Sequence, residues 1–375
     1  MSLQAKSLFV AMELSNKKWK LVFGDGSRER ERNVPARCEE ALVREVALAK
    51  EKLGLPSDAS VVCCYEAGRD GFWVDRMLKK HGFSNRVMDP ASIEVPRRSR
   101  TRKTDRLDAE KLLQLLLRAE LWGQSKAFSV VCVPTEKEEA ELRLHRERER
   151  LVKERTGHRA RLKSLFVLQS IVVGNPARVP VESVRDWEGK PLPGPWVEEI
   201  EREQQRLRLV EAQIKGLEQQ QAAALAQAET PAVKKAEKLC RLKSVGPQSG
   251  WVLSHECFGW RTFANRKRLG SFAGLTGTPF DSGETLREQG ISKAGSGRVR
   301  TTMIELAWGW VRWQPDSVLT HWFLDRYVRG GTSRSKRKGI VALARKLLIA
   351  LWKYVEQDVV PEGAVFKAQR CEQPA

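Results

Sequence analysis

The 375-residue sequence has no run of about 18 apolar residues, which is the length that a membrane-spanning helix requires. It has five histidines, none with the spacing of a zinc site, and seven cysteines that form no CxxC pair. The odd cysteine count argues against a disulfide framework, and the first residues show no signal-peptide pattern. These absences argue against a membrane protein, a zinc enzyme and a disulfide-stabilised secreted domain, and they favour a reducing cytoplasm.

Positive charge, by contrast, is abundant. Lys and Arg number 67 against 47 Asp and Glu, which gives a net charge of +20. Such an excess indicates a polyanionic partner, either nucleic acid or an anionic membrane surface. Because no long apolar segment is present, we favour nucleic acid. The hydrophobic content of 41% is enough to bury a core, and the length suits two or three domains.

The N-terminal region alternates between short apolar strands and amphipathic helices. Strands are predicted at 7–14, at 17–24 and, more weakly, at 28–34, and a helix is predicted at 37–54. A buried strand at 60–68, a helix, a short strand and a long helix follow. Three antiparallel strands and then βαβ crossovers match a ribonuclease H-like mixed sheet. A doubly wound dinucleotide-binding fold is the alternative, but no GxGxxG follows the first strand.

The middle of the chain is rich in Glu, Arg and Leu and predicts two long antiparallel helices. Leucines recur at seven-residue spacing between Leu144 and Leu165, and a second apolar seam runs over 200–224. This hairpin either packs within its own chain or pairs two protomers as a coiled coil. Helices are again predicted beyond Ala236, and a segment at 274–300, rich in Gly, Ser and Thr, is expected to be mostly loop.

These patterns predict an α/β plus α protein with four parts. Residues 1–128 form the ribonuclease H-like domain, and 129–235 form the long-helix coiled-coil domain. A mostly helical C-terminal domain follows at 236–360, and we expect a disordered tail at 361–375.

Four acidic residues of the N-terminal region are candidates for a metal site. Glu13 ends the first strand, Glu66 ends the fourth, and Asp105 and Asp108 lie three apart on the helix that follows. In a ribonuclease H-like sheet the first and fourth strands are neighbours and this helix packs across them, so the carboxylates would converge. Such a cluster could hold two Mg²⁺ ions. The alternative for the aspartate pair is a solvated helix start, where acids complement the helix dipole.

Basic residues surround the aspartate pair and recur in the C-terminal domain. Lys and Arg side chains contact nucleic-acid phosphates and position the backbone without reading sequence. The candidates for nucleic-acid contacts are Arg97, Arg98, Arg100, Arg102, Lys103, Arg106, Lys293, Arg298, Lys336, Arg337 and Lys338.

Several motifs occur together in a specific order. The N-terminal half contains AMELSNKKW, YEAG and KTDRLDAEKL, and the C-terminal half contains FANRKRLGSFAGL and DSGETLREQGISKAGSGRVR. In this order and spacing the chain resembles, over nearly its whole length, the DEDD transposases of bacterial insertion sequences, which act as bridge-RNA-guided DNA recombinases. Glu13 departs from the family pattern, which usually has Asp there. Glutamate is still a hard oxygen ligand, so metal binding is expected to survive.

The resemblance implies a transposase with a RuvC-like N-terminal domain that cleaves and rejoins double-stranded DNA at insertion-sequence ends and targets. It further implies two Mg²⁺ ions, a non-coding guide RNA, a homodimer or homotetramer, and a place in the bacterial cytoplasm near the nucleoid. By the same resemblance the nucleophile is Ser282 of the DSG motif, with Ser292 of ISK as the rival.

Two other hypotheses stay open. One is a Holliday-junction resolvase-like hydrolase, which would use the same acids and two metal ions with water as the nucleophile. The other is a nucleic-acid-binding protein without catalysis. A binding surface has no use for four carboxylates beside DNA, and the hydrolase has no use for Ser282.

Overall fold

The structure, a computed structural model, falls into two compact units, Met1–Thr135 and Glu136–Ala375. No helix among the residues that it describes is long and apolar enough to cross a bilayer. It describes residues 7–93, 105–124, 126–282 and 285–368, of which it gives the backbone alone at 91, 105–106, 279–282 and 285–289.

A five-stranded mixed sheet is the centre of the first unit. Its strands, in chain order, are β1 (Leu8–Glu13), β2 (Lys18–Gly24), β3 (Glu29–Pro35), β4 (Val61–Glu66) and β5 (Ser84–Met88). Their order across the sheet is β3-β2-β1-β4-β5. β2 is antiparallel to β1 and β3, whereas β4 is parallel to β1 and β5. The expectation that the first and fourth strands are neighbours is therefore confirmed.

Helices cover both faces of this sheet. Helices α1 (Glu39–Lys52) and α2 (Trp73–Lys80) share a core with alternate residues of β1, β2 and β4, including the fully buried Trp19. Helix α3 (Asp105–Glu120) packs on the other face, against the residues that alternate with the first set, such as Ala11. The two-residue period of a strand explains this division, because successive side chains leave a strand on opposite faces.

Two long antiparallel helices begin the second unit, α4 (Glu136–Val167) and α5 (Gly194–Gln227). Ion pairs join early α4 to late α5 and late α4 to early α5, as in Arg148–Glu218 and Arg161–Glu199. The predicted seam of α5 is buried against α4 of the same chain. The α5 residues of this seam are Leu207, Val210, Ile214 and Leu217. They pack with Leu151, Leu162 and Leu165 of α4. The seam therefore packs within one chain, which was one of the two alternatives.

His158, a polar residue among the seven-residue leucine repeats of α4, has a partner on α5. His158 Nδ1 lies 2.6 Å from Glu203 Oε1, and Glu203 Oε2 accepts a hydrogen bond from Arg206 at 2.9 Å. The histidine that interrupts the leucine repeat of α4 is thus matched by a carboxylate on α5.

The rest of the second unit is mostly helical around one apolar core. Short π-helical turns follow two of its helices, at Ser254–Phe258 and Leu324–Val328. The helices are α6 (Pro231–Cys240), α7 (Pro247–Leu253), α8 (Arg266–Phe272), α9 (Gly297–Trp313), α10 (Val318–Phe323) and α11 (Ser333–Gln357).

The expectation that 274–300 is mostly loop is wrong. Two antiparallel strands, β6 (Gly277–Ser282) and β7 (Thr285–Ile291), form a hairpin within it, and α9 begins at Gly297. Ser282 pairs with Thr285, so only two residues connect the strands. The Gly- and Ser-rich composition of the segment is typical of a loop, and it hid the strand signal.

The first residues of the predicted tail contact the C-terminal core. Phe366 forms a bridge with Leu242, and the Lys243 N–H donates to the Val365 carbonyl at 3.0 Å. The Gln314 side chain donates to the same carbonyl at 2.8 Å. These contacts hold this segment against α6 and α9, and the tail beyond residue 368 lies outside the described residues.

The packing of α5 predicts how two of its leucines differ. Leu207 is 0% exposed and Leu209 is 60% exposed. Leu207→Ala should lower the free energy of unfolding by about 2–5 kcal/mol, because it leaves a cavity against α4. Leu209→Ala, the matched control, should change it by less than about 0.5 kcal/mol. Urea denaturation measures both. Equal effects, or a lower oligomeric mass in Leu207→Ala alone, would contradict packing within one chain.

Candidate functional site

The two predicted strand-end glutamates lie side by side. β1 and β4 are parallel and in register from Leu8 opposite Val61 to Met12 opposite Tyr65. Glu13 is the next residue of β1, and Glu66 is the next residue of β4. Both carboxylates therefore stand at the same edge of the sheet, where these two strands end. Glu13 is half-buried and Glu66 is exposed.

Both glutamates leave the sheet on the face that α3 covers. Phe9 and Ala11 of β1 and Cys64 of β4 belong to the core shared with α3. Glu13 and Glu66 continue the same alternation, two residues beyond Ala11 and Cys64. The register thus places these two glutamates on one face of the sheet, and the convergence of all four carboxylates stays a prediction.

Helix α3 begins at this edge of the sheet. Cys64 Sγ lies 3.7 Å from the Leu112 carbonyl oxygen, near the end of β4. Directly after the other end of the helix, Leu121 packs at Gly26, which follows β2 beside the start of β1. The helix therefore runs against the direction of β1, and its first turn lies toward the strand ends.

The aspartate pair lies in that first turn. Asp108 is half-buried and stands four positions before Leu112, which is buried on the sheet. Asp105 is the first helical residue, four positions before the buried Ala109, and its side chain is outside the description. The described side chains contain no group of three or more His, Cys, Asp or Glu that could hold a metal ion. Because the predicted set includes Asp105, the four-carboxylate site stays a prediction.

The basic residues around the aspartates lie outside the description. Residues 94–104 are not described, and α3 contributes only backbone at Arg106. The predicted phosphate contacts that stay predictions for this reason are Arg97, Arg98, Arg100, Arg102, Lys103 and Arg106.

A further acid, which the sequence reasoning missed, follows the next strand. Asp89 comes directly after β5, whose Met88 pairs with Glu66. Its N–H donates to the Ser129 carbonyl at 2.8 Å, which fixes the backbone there. The signal was available, since Asp89 ends NRVMD, the short strand that the sequence predicts before the long helix. Parallel strands end at one edge, so this acid belongs to the same edge as Glu13 and Glu66.

The two candidate serines lie at opposite ends of the β6–β7 hairpin. Ser282 is the last residue of β6, at the turn, and its side chain is outside the description. Ser292 follows β7 at the base, where its N–H donates to the Thr276 carbonyl at 2.8 Å and its hydroxyl lies 3.4 Å from Thr276 Oγ1. The structure thus separates the two candidates, with Ser292 tied to the domain and Ser282 at the tip.

The C-terminal cations fall into two environments. Arg298 is held in an internal network, with Nε 2.5 Å from Glu149 Oε2 and Nη1 2.9 Å from Glu256 Oε1. Lys293 is exposed beside the hairpin base, with a positive φ of 55°. The remaining three are exposed in the first turns of α11, and these are Lys336, Arg337 and Lys338.

A buried charge network surrounds Glu256, and the sequence analysis did not predict it. Glu256 accepts hydrogen bonds from Arg146 Nε at 2.8 Å and from Arg146 Nη2 at 3.0 Å. His145 Nε2 lies 2.8 Å from its Oε1, and Arg298 Nη1 donates to the same oxygen. Burial would raise the pKa of Glu256, but the hydrogen bonds from His145 and Arg146 outweigh burial and hold it well below its usual range.

This network borders a cavity of about 640 Å³ between α4, α7 and α9. His145, Arg298, Ser249 and Thr301 contribute to its walls. Arg298 lies within two residues of the α9 N-cap, Ser296, whose hydroxyl accepts the Val299 N–H. The network therefore fixes the start of α9, which lies within the motif that contains both serines.

A second buried histidine lies next to the network. His255 is stacked on Trp251 with ring centroids 4.1 Å apart, and its Nδ1 lies 3.0 Å from the Trp251 carbonyl oxygen. Its Nε2 lies 3.4 Å from Glu141 Oε2. Burial lowers the pKa of His255 to about 4, and the charge of the nearby His145 acts in the same direction.

Comparison with known proteins decides the family. The chain is 39% identical to "Putative transposase y4rJ" of Sinorhizobium fredii over 96% of this chain and 95% of that protein. It is 24% identical to "Probable family 20 transposase" of Pseudomonas aeruginosa over 80% of this chain and 84% of that protein. The family model described as transposase IS116/IS110/IS902 family matches residues 236–321. The chain belongs to the IS116/IS110/IS902 family of transposases.

Transposases are enzymes that cleave and rejoin DNA. In this transposase the matched segment runs from α6 into α10. It contains Glu256, the β6–β7 hairpin with Ser282, and Arg298. A second Sinorhizobium fredii protein, "Putative transposase y4qE", is 29% identical over 66% of this chain and 58% of that protein.

The transposase should lose stability as the pH falls from about 6.5 to 4. An unfolded histidine takes up a proton near pH 6.5, whereas folded His255 resists protonation down to about 4. The unfolded state therefore binds more protons across this window, and stability falls by up to about 3 kcal/mol at its acid end. His255→Gln should flatten this part of the profile.

Urea denaturation of both proteins between these pH values measures the effect. His321→Gln is the matched control, because His321 is exposed and should leave the profile unchanged. The unfolded state also takes up a proton at Glu256 near the acid end of this window, whereas folded Glu256 stays charged. This contribution is present in every variant and cancels in the difference. Parallel profiles for wild type and His255→Gln would contradict the prediction.

Proposed function

We propose that this transposase cleaves and rejoins DNA with two Mg²⁺ ions held by Glu13, Glu66, Asp105 and Asp108 and with Ser282 as the nucleophile. The observation that carries the proposal is the register of β1 and β4. Their parallel pairing sets Glu13 and Glu66 side by side on the face where α3 begins.

The sheet supports a ribonuclease H-like, RuvC-like reading of the first unit. The order β3-β2-β1-β4-β5, with two antiparallel pairings followed by two parallel ones, is the arrangement expected for that fold. In the second unit, heptad-spaced apolar residues on α4 and α5 support a coiled-coil hairpin. Fold likeness alone does not establish chemistry, so the site has to carry the function.

The donor set suits magnesium. All four proposed ligands are carboxylates, and Mg²⁺ prefers hard oxygen donors. When bound, such ions neutralise charge on a phosphate and on the oxygen that leaves it. The chain itself contributes the fixed edge of the sheet, which orients Glu13 and Glu66, and the first turn of α3, which orients Asp108. The neighbouring basic residues from Arg97 to Arg106 would hold the DNA backbone.

The proposed step at Ser282 conserves a phosphoester bond. The serine oxygen forms a bond to a DNA phosphorus atom while the bond from that phosphorus to one strand end breaks. The serine proton is lost, and the released strand end takes up a proton as a hydroxyl. Attack by another strand hydroxyl on the phosphoserine reverses the step, so strands can be exchanged without ATP.

The hairpin supports Ser282 over Ser292. Ser282 lies at the turn, directly before the two-residue connection to Thr285. Ser292 is bound at the base through Thr276. A nucleophile has to reach a phosphate in a wide substrate, which the tip of a hairpin can do more readily than its base.

A guide RNA and an oligomer complete the proposal. The family resemblance implies the RNA, and the net charge of +20 is compatible with binding both DNA and RNA. Strand exchange needs two active sites, so we infer at least a dimer. The α5 seam does not supply the contact between chains, because it is buried against α4 of its own chain.

The test uses the full chain, purified with the RNA that accompanies it, on supercoiled DNA that carries its own gene and flanking sequence. Strand cleavage and protein–DNA adducts are measured with and without Mg²⁺. Asp108→Asn and Ser282→Ala should each reduce cleavage and adduct by more than about 100-fold while DNA binding persists. Mass spectrometry should map the adduct of the wild type to Ser282.

Two control variants make the result specific. Asp58→Asn alters an exposed acid that precedes β4, at the opposite end of the strand from Glu66, and should stay active. Ser292→Ala should also stay active, and an adduct on Ser292 would transfer the nucleophile to the hairpin base. Robust cleavage by Ser282→Ala without any adduct would favour the two-metal hydrolase. Full activity of Asp108→Asn would contradict the metal site.

A further inference from the structure

Two tryptophans of α9 are left in solvent. Trp308 is 41% exposed and Trp313 is 48% exposed, whereas Trp310 between them is 0% exposed and lies in the core. Trp251, like Trp310, is buried. An exposed indole leaves a large apolar surface in water, so the two exceptions on one helix call for a partner.

The Trp308 ring packs against a buried aromatic ring and lies close to a cation. The fully buried Phe323 meets it edge-on, with ring centroids 6.5 Å apart and planes at 82°. Lys336 Nζ, from the start of α11, lies 5.6 Å from the Trp308 ring centroid. Arg312, one turn further along α9, lies with its Cζ 5.0 Å from the Trp313 ring centroid. Each exposed indole is therefore paired with a positive charge.

The start of α11 is unusually basic for the beginning of a helix. Its first turn contains no acid, and Arg334, Lys336, Arg337 and Lys338 fall within the first six residues. The positive end of the helix dipole lies there, so cations are unfavourable at this position. All four side chains are exposed. A polyanion laid across this end would relieve both the mutual repulsion and the unfavourable dipole interaction.

Aromatic rings beside flexible cations are how proteins hold unpaired nucleotides. A base stacks on the indole, and the cations contact the neighbouring phosphates. A duplex offers phosphates to the same cations, but its base faces are already stacked and cannot reach the ring. The combination of Trp308 with the basic start of α11 therefore suits a single strand better than a duplex.

We propose that Trp308, with Lys336 beside it, stacks an unpaired base of a single-stranded nucleic-acid segment whose phosphates contact the start of α11. The proposal rests on the proposed function in so far as a transposase handles nucleic acids, and it adds where one unpaired segment binds. Single-stranded DNA and RNA share the chemistry that the site recognises, so the experiment compares them.

Equilibrium binding of the full chain is measured by fluorescence anisotropy in EDTA, where no metal-dependent cleavage occurs. The probes are fluorescein-labelled single strands of about 15 nucleotides, one DNA and one RNA of the same sequence, and the corresponding DNA duplex. Trp308→Ala should weaken the binding of at least one single strand by roughly 5- to 150-fold, the range for loss of one stacked base. Duplex binding should change by less than about twofold.

Matched variants identify the cause. Trp187→Ala removes an indole that is 73% exposed between α4 and α5, and it should leave all three affinities unchanged. Trp308→Phe keeps an aromatic face and should restore most of the single-strand affinity. Lys336→Gln should weaken single strand and duplex alike and reduce the salt dependence by about one phosphate contact. The single strand that responds to Trp308→Ala, DNA or RNA, identifies the natural ligand.

The outcomes distinguish a failure of the stacking site from a failure of the catalytic proposal. Unchanged single-strand binding by Trp308→Ala, or an equal loss for the duplex, would overturn the stacking site while leaving the catalytic proposal intact. Failure of the wild type to bind either single strand would also overturn the stacking site, whereas the catalytic proposal is decided by the cleavage and adduct measurements. Loss of cleavage in Asp108→Asn or Ser282→Ala does not bear on this test, because binding is measured without metal.

Discussion

The parallel pairing of β1 with β4 is the constraint on which the proposed catalytic edge depends. Two parallel strands end at the same side of a sheet, and the register from Leu8–Val61 to Met12–Tyr65 makes Glu13 and Glu66 the next residues of both. A slip of one residue would turn a carboxylate to the opposite face, into the core of α1 and α2. The buried apolar residues on both faces of β1 prevent that slip, because each face packs against its own helices.

Helix α3 depends on the same pairing. Its buried side chains pack on Phe9 and Ala11 of β1 and on Cys64 of β4, so the helix needs both strands in place. That contact sets the direction of the helix and brings its first turn to the strand ends. The apolar core of this unit and the proposed metal site are therefore products of one arrangement, and damage to the pairing should affect both.

In the second unit, a buried charge network joins α4, a π-helical turn and α9. The carboxylate of Glu256 is buried in a π-helical turn and is held by His145 and Arg146 of α4 and by Arg298 of α9. Removing one partner of such a buried network leaves an uncompensated charge and costs several kcal/mol. Arg300, two residues after Arg298, donates to the Lys293 carbonyl at 3.1 Å and so fixes the base of the β6–β7 hairpin. The base is held while the turn with Ser282 stands away from it.

The sequence predicts the structure of the first unit more completely than that of the second, and the reasons are physical. Alternating and amphipathic patterns predicted all five strands, because periodicity is a local property. The adjacency of Glu13 and Glu66 followed from matching the element order to a ribonuclease H-like sheet, in which the first and fourth strands are neighbours. The β6–β7 hairpin was missed because the Gly and Ser content of this segment is that of a loop. The Glu256 network was beyond prediction, since Glu256 and His145 lie 111 positions apart with no spacing that joins them.

The most direct measurement of the central claim is the position of the metal. Fe²⁺ bound in place of Mg²⁺ produces hydroxyl radicals with peroxide and ascorbate, and these cut the nearby backbone. The account predicts cuts around Glu13, Glu66 and the first turn of α3 that excess Mg²⁺ suppresses and that Asp108→Asn abolishes. Cuts confined to other parts of the chain, or an unchanged pattern in Asp108→Asn, would contradict it.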